Sequence, residues 1–282
     1  SLVAACKEGN IAAHLAVDFA AKMPTPPPVG PATRGARASR CPVAMQIIFG
    51  LLAISTVALA PAAALAQDDS ERIFGKAQAY TVRVKTSVPV PFAGDKRGTL
   101  IGAGFVVDAG RGWIMTNAHV VSRSPARVQV AFHGQEFGPA RKVYVDPFLD
   151  LAVIEARPED GRRLAAAELE CQDQPAMGHP VGAYGHPWRF YYTGTRGIVS
   201  GVTSKYRTEY LQTDAPVDSG NSGGPLISLT SGKIVGINTA AMKEPKSKNT
   251  SFAVSMKYAC RVLELLQAGR DPSPPQLPLV FF

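Results

Sequence analysis

The sequence has little of what usually marks a function at sight. It holds four cysteines in 282 residues, and none stand in the paired spacing of a zinc site, so no metal is expected. Lys and Arg exceed Asp and Glu by eight, yet no block of five or six basic residues occurs and no basic helix alternates with aromatics. That excludes a nucleic-acid-binding arm, so nucleic acid is not an expected partner. There is no internal repeat and no long low-complexity tract, which excludes solenoids and disordered tails. Gly102-Ala103-Gly104 lacks the third glycine and the following helix of a dinucleotide fingerprint, and no cofactor is expected.

Long apolar runs are also scarce. The most continuous, residues 47–60, is 14 residues long and is followed by Pro61. A bilayer span needs about 20 apolar residues, so this run predicts no stable membrane span. Arg34, Arg37 and Arg40 lie upstream, and Ala62-Ala63-Ala64-Leu65-Ala66 lies downstream. A basic flank, a short apolar core and a small-residue A-x-A step make a secretory signal peptide, with the cut expected after Ala66. An uncleaved anchor is the alternative. A start at Met23 keeps the three arginines in the leader and a start at Met45 loses them, and residues 1–22 read as dispensable. Residues 1–66 are therefore expected to be a leader, and the protein to be exported to a periplasm or secreted. The first 66 residues carry five basic and two acidic residues, which leaves +5 on the remainder. An ordinary solvated surface accounts for that charge.

Cys6 and Cys41 fall within the leader, which leaves Cys171 and Cys260. In an oxidising compartment two such residues can pair, and two independent buried thiols are the alternative.

What remains is rich in turns, with 26 glycines and 23 prolines in the whole chain. Short apolar stretches at 80–85, 100–107, 113–116, 128–132, 142–145 and 151–155 read as one group of strands. Residues 156–175 read as a connector. Stretches at 181–184, 191–202, 210–213, 225–229, 233–238 and 251–254 form a second group. Six strands per half, each bounded by turn residues, predict an all-β fold of two six-stranded antiparallel β-barrels, at about 76–158 and 176–256. Ala259, Val262, Leu263 and Leu266 recur at helical spacing before Gly269, so a C-terminal helix is expected over 256–268. The folded domain is then 67–282.

Three segments carry the chemistry. Gly220-Asn221-Ser222-Gly223-Gly224 sets a hydroxyl between glycines, which lets the chain turn tightly and a substrate come close. Thr116-Asn117-Ala118-His119 follows a strand, and a histidine there has the pKa range of a general base. The other histidines read as structural: His14 in the leader, His133 beside a glycine turn, His179 and His186 each before a proline. Asp150 opens the apolar strand 151–155, where a half-buried carboxylate can orient the imidazole. Asp146 is the rival, but it stands outside that strand. The order His, Asp, Ser is that of chymotrypsin-like enzymes, whereas α/β-hydrolases place His last and need alternating helices.

The joint pattern closely resembles the HtrA (Deg) branch of trypsin-like serine proteases. The matching words are GAGFVVD (102–108), TNAHVV (116–121), DLAVIEA (150–156), AYGHP (183–187), TGTRGIVSG (193–201), QTDAPVDSGNSGGPL (212–226), GKIVGINTA (232–240) and SFAVS (251–255). The resemblance covers about residues 76–268. It implies Ser222 as nucleophile, His119 as general base, Asp150 as its orienting partner, and the N–H groups of Gly220 and Ser222 as the oxyanion hole. It implies that Ile237, Asn238, Thr239 and Ala240 pair with extended substrate and help wall the specificity pocket. Pro216 stands where enzymes that cleave after Arg or Lys carry an Asp, six positions before the nucleophile. With Val217 and Ile237 it is expected to favour small or medium aliphatic residues. Asn221 stands where trypsin-type zymogens carry the Asp that receives a new N-terminal ammonium, so activation by that pairing is not expected.

Polypeptides of exported or unfolded proteins are the expected substrates. HtrA proteins usually continue into PDZ domains, whereas this sequence is expected to lack one, and the segment 87–98 is short. Both departures bear on oligomerisation, which stays open. The reading from another class is a catalytically silent binding module of the same fold.

Overall fold

A computed structural model of the protein describes residues 69–186, 192–205, 208–239 and 250–273. The expected leader, Ala240 and the end of the chain lie outside the described residues.

Twelve strands form two closed antiparallel barrels. The first comprises β1 (Thr81–Val88), β2 (Gly98–Asp108), β3 (Trp113–Thr116), β4 (Arg127–Ala131), β5 (Gly138–Asp146) and β6 (Leu151–Glu155). They close in the order β1-β2-β3-β6-β5-β4. The second comprises β7 (Pro180–Gly185), β8 (Thr193–Lys205), β9 (Thr208–Thr213), β10 (Pro225–Ser228), β11 (Ile234–Thr239) and β12 (Ser251–Ser255). They close as β10-β11-β12-β9-β8-β7. Three helices complete the described domain: α1 (Asp69–Tyr80), the single turn α2 (Ala118–Val121), and α3 (Met256–Gln267). The fold expected from the strand pattern is the fold observed.

Side chains alternate between the faces of a strand, and this sorts the apolar residues. Val181, Ala183, Val199, Leu211, Leu226 and Ala253 pack together within the second barrel. Ile227, one residue on from Leu226, turns into a larger cluster with Phe105 and Ile114 of the first barrel and Ala259 and Leu263 of α3. β6 is the exception to alternation, since Leu151, Ala152, Val153 and Ile154 are all fully buried. A strand enclosed on both faces reads as a continuous apolar run, and its rigidity fixes whatever precedes it.

The connector serves both barrels. The Ala167 N–H donates to the Val106 carbonyl of β2 (2.8 Å), and the Glu170 N–H donates to the Ile234 carbonyl of β11 (2.8 Å). Cys171 at its end is bonded to Cys260 of α3 with Cα atoms 5.7 Å apart.

α1 was not anticipated, because the strand pattern begins only near Tyr80. Its buried residues Ser70, Ile73, Ala77 and Tyr80 do recur at helical spacing, but two of them are too small or polar to signal an apolar stripe. The helix docks through Phe74, whose ring stacks on Tyr184 of β7 (5.7 Å between centroids). Gly182 makes room for it, since a Cβ there would lie 2.5 Å from the ring.

The bond between Cys171 and Cys260 closes a loop of 89 residues. Replacing either cysteine by serine is expected to cost about 2–4 kcal/mol through the loop entropy returned to the unfolded chain. For a domain of this size that lowers the melting temperature by roughly 5–15 °C. Calorimetry with and without reductant checks it, and identical melting would show that the thiols are not joined in solution.

Candidate active site

The turn that carries Ser222 is built by backbone bonds to β2 and β11. The Ser222 carbonyl accepts the Ala103 N–H of β2 (2.8 Å), a link from the first barrel to the second. The Gly223 N–H donates to the Asn238 carbonyl (2.9 Å), and the Asn238 N–H donates to the Gly224 carbonyl (2.9 Å). Gly220 has φ of +105° and Gly223 of +85°, conformations that disfavour any side chain. A Cβ on Gly223 would also run into the Ala103 carbonyl and the Thr116 hydroxyl. Gly102 has a related role that motif reading missed. A Cβ there would lie 2.7 Å from the Ser222 carbonyl and 2.8 Å from Val120, so the close approach of β2 to this turn requires glycine.

His119 lies on α2, a one-turn helix that follows Asn117. Short helices leave their first N–H groups without partners, and here Asp150 supplies one. Its Oδ1 accepts the His119 backbone N–H (3.0 Å), and its carboxylate also faces His119 Nδ1 at 2.8 and 3.0 Å. Asp150 has φ of +51°, and its carbonyl accepts the amide of buried Asn117 (2.9 Å). A third donor reaches the carboxylate from the second barrel: the Thr239 hydroxyl, 3.0 Å from Oδ2. The rival Asp146 is occupied elsewhere, capping its own turn through the Phe148 and Leu149 N–H groups (2.8 and 3.0 Å).

His119, Gly220 and Ser222 line one cleft of about 540 Å³, whose other wall includes Gly94, Asp95, Thr99 and Ile101. Within the cleft wall, His119 is exposed while Ser222 is 4% exposed.

His186 also belongs to the neighbourhood of the turn, although the sequence marked it only as a loop residue. Its N–H donates to the Gly220 carbonyl (3.2 Å), and its Nδ1 accepts the Tyr192 N–H (3.2 Å). Burial, reinforced by the positive charge of Arg83, pushes its pKa down to about 4, so it is neutral at physiological pH.

The residues assigned to the specificity pocket are distributed differently from expectation. Ile237 is fully buried and packs in the core, and the Asn238 side chain donates to the Pro225 carbonyl (2.9 Å). Thr239 spends its hydroxyl on Asp150. All three side chains are buried. Pro216 is exposed, with its carbonyl accepting the Thr195 hydroxyl (2.8 Å). Val217 is half-buried, its N–H donating to Ser251 Oγ (3.2 Å). Asn221 is buried at the turn. Among the described residues no cluster of three or more His, Cys, Asp or Glu could hold a metal, and no helix is long and apolar enough to cross a membrane.

Two closed six-stranded barrels, with His119 and Ser222 on one cleft and Asp150 bonded to His119, have the arrangement of a trypsin-like serine protease domain. The family model for the trypsin-like peptidase domain matches residues 102–237. Within that class the chain is similar to HtrA proteases. The periplasmic serine endoprotease DegP of Escherichia coli (strain K12) is 35% identical over 148 residues, 50% of this chain and 30% of DegP. The putative serine protease HhoA of Synechocystis sp. is 35% identical over 193 residues, 65% of this chain and 47% of HhoA. The solved structure of the HtrA-type protease AlgW with a tripeptide superposes with a TM-score of 0.60 at 27% identity, over 71% of this chain and 64% of that one. The chain thus spans less than half the length of these two curated relatives.

The Thr239 hydroxyl is the one side-chain donor that reaches the Asp150 carboxylate from the second barrel, among the described residues. A hydrogen bond to a charged group contributes about 1.5–3 kcal/mol, so Thr239→Val is expected to slow fluorophosphonate labelling of the protein by about tenfold. Labelling at the unaltered rate would show that the carboxylate is held without this bond.

Proposed function

We propose that this protein is an exported serine endopeptidase that cleaves polypeptides through an acyl-enzyme, with Ser222 as nucleophile, His119 as general base and Asp150 as its orienting partner. The observation that carries this reading is the approach of His119 Nδ1 to the Asp150 carboxylate, 2.8 Å, on the cleft that Ser222 shares. An ionised carboxylate only accepts hydrogen bonds, so the proton of a neutral imidazole sits on Nδ1. Nε2 then presents a lone pair, which takes the Ser222 hydroxyl proton as Oγ attacks the scissile carbonyl. The same nitrogen returns the proton to the leaving amine, and water repeats the cycle to release the acyl group. The N–H groups of Gly220 and Ser222 receive the oxyanion, on a turn held by the bonds to Ala103 and Asn238.

The substrates are polypeptides of exported or unfolded proteins, in keeping with the periplasmic location of DegP. The preference before the cleaved bond is for small or medium aliphatic residues. Pro216 and Val217 offer no carboxylate to a basic side chain, and Asp214 nearby is already engaged by the Ile198 N–H (2.7 Å). Burying an unpaired ammonium costs several kcal/mol, whereas each fitting methylene contributes only about 1–3 kcal/mol. The preference is graded.

Ser222→Ala and His119→Ala are each expected to lower kcat by about 10⁴–10⁶, and the double variant to lose little more than either. Additive losses would mean that the two side chains do not act as a unit. Mass-spectrometric mapping of cleavage sites in an unfolded protein should show cuts mainly after Val, Ala and Ile. Dominant cuts after Arg or Lys would overturn the reading of Pro216.

A further inference from the structure

Ser122, three residues beyond His119, stands in a conformation that side chains rarely enter. It has φ of 61° and ψ of 150°, a region essentially reserved for glycine, and it is buried. Its N–H closes α2 by donating to the Ala118 carbonyl (2.8 Å), so the strained residue terminates the single turn that carries His119. A conformation of this kind persists only where the surroundings impose it.

The surroundings here are two opposite charges. One oxygen of Asp95, Oδ2, accepts the Ser122 hydroxyl (2.6 Å), the Arg123 N–H (3.0 Å), the Ser124 N–H (2.9 Å) and the Ser124 hydroxyl (2.5 Å). The Lys142 ammonium of β5 donates to the carbonyls of the same turn, Ser122 (2.6 Å) and Ser124 (2.7 Å). Burial acts to raise the Asp95 pKa, but the hydroxyl and amide donors outweigh it and hold the carboxyl down at about 2. The charge is therefore present wherever an imidazole base can work.

We infer that Asp95 is a positioning residue of the active site, acting on His119 through the Ser122 turn. The inference rests on the reading of His119 as general base. Asp95 sits in the loop 89–97 between β1 and β2, and that loop is bound to the same turn at two further points. The Phe92 N–H donates to Ser124 Oγ (2.8 Å), and the Arg123 guanidinium donates to the Ala93 carbonyl (2.9 Å). Gly94 and Asp95 then form part of the cleft wall facing His119 and Ser222. One carboxylate thus sets both the end of the His119 helix and the loop that lines the cleft beside it.

The test compares Asp95→Ala, Asp95→Asn, Ser122→Gly and the double variant Asp95→Ala/Ser122→Gly, with active sites counted by fluorophosphonate titration. Misplacing a catalytic group by about 1 Å can cost about 100-fold, so Asp95→Ala is expected to lower kcat by about 10–100-fold with a smaller change in KM. Glycine adopts the Ser122 conformation without a clamp, so the double variant should recover at least half of that loss on a logarithmic scale. Ser122→Gly alone should stay within about threefold of the parent, because the two bonds of the Ser122 hydroxyl are lost while Asp95 keeps its bonds to Arg123 and Ser124. If Asp95→Ala does not fold, Asp95→Asn keeps the size of the side chain, and a tenfold lower kcat per active site supports the inference. Wild-type kcat per active site in whichever Asp95 variant folds would overturn it, as would a double variant no faster than Asp95→Ala. His119→Ala run in parallel separates the two readings. Full activity in that variant removes the base assignment, while its inactivity together with an unaffected Asp95 variant removes only the positioning role.

Discussion

A carboxylate at the seam between two barrels is the constraint on which the cleft is organised. Taking an ionised Asp out of water costs several kcal/mol unless donors replace the lost hydration. Asp150 recovers that cost from three sources: the His119 N–H of α2, the imidazole that α2 carries, and a hydroxyl from β11 of the opposite barrel. Each donor is thereby located by the charge that it serves. The helix turn is capped, the ring is oriented edge-on to the carboxylate, and the second barrel is tied to the first at the point where Ser222 approaches. β6 provides the anchor, since four consecutive fully buried residues leave Asp150 little freedom at its end.

At the Ser222 turn the link between the barrels is a backbone hydrogen bond, and it depends on small residues. The Ser222 carbonyl reaches the Ala103 N–H only because Gly102 and Gly223 carry no side chains at the crossing. Hydrogen bonds of this kind hold a turn in register without filling the cleft, which suits a site where an extended chain has to enter. Titratable residues support the turns on either side of the cleft. His186 holds the Gly220 carbonyl while remaining neutral in its buried place. Asp95 and Lys142 clamp the far end of the His119 turn. The candidate site therefore consists of a few side chains on turns held largely by backbone hydrogen bonds.

Much of this was legible from residue order. Alternating short strands and turn residues indicated both barrels, and the motifs around His119, Asp150 and Ser222 stood out because their chemistry demands particular residue types at strand ends and glycine turns. α1 was not legible, because its buried face includes Ser70 and Ala77, and a helix that docks through one aromatic ring leaves a weak periodic signal. The surroundings of the strand expected to meet substrate were not legible for a different reason. Ile237 and Asn238 look like lining residues in a motif, but burial depends on which distant segments pack against each side chain, and here Ile237 joins the core while Asn238 bonds the Pro225 carbonyl.

The sequence by itself determined the strand count, the terminal helix, and the three residues that converge, since periodicity and turn chemistry are local properties. The tertiary structure alone decided how those residues are held. The Thr239 bond to Asp150 spans 89 positions and the Ala103 bond to Ser222 spans more than a hundred, and no local pattern encodes either. Asp95 and Ser122 are likewise an unremarkable acid and an unremarkable serine in the chain, 27 positions apart. Only folding brings the carboxylate against a backbone conformation that needs it, because strain and its compensation arise when separate segments are packed together.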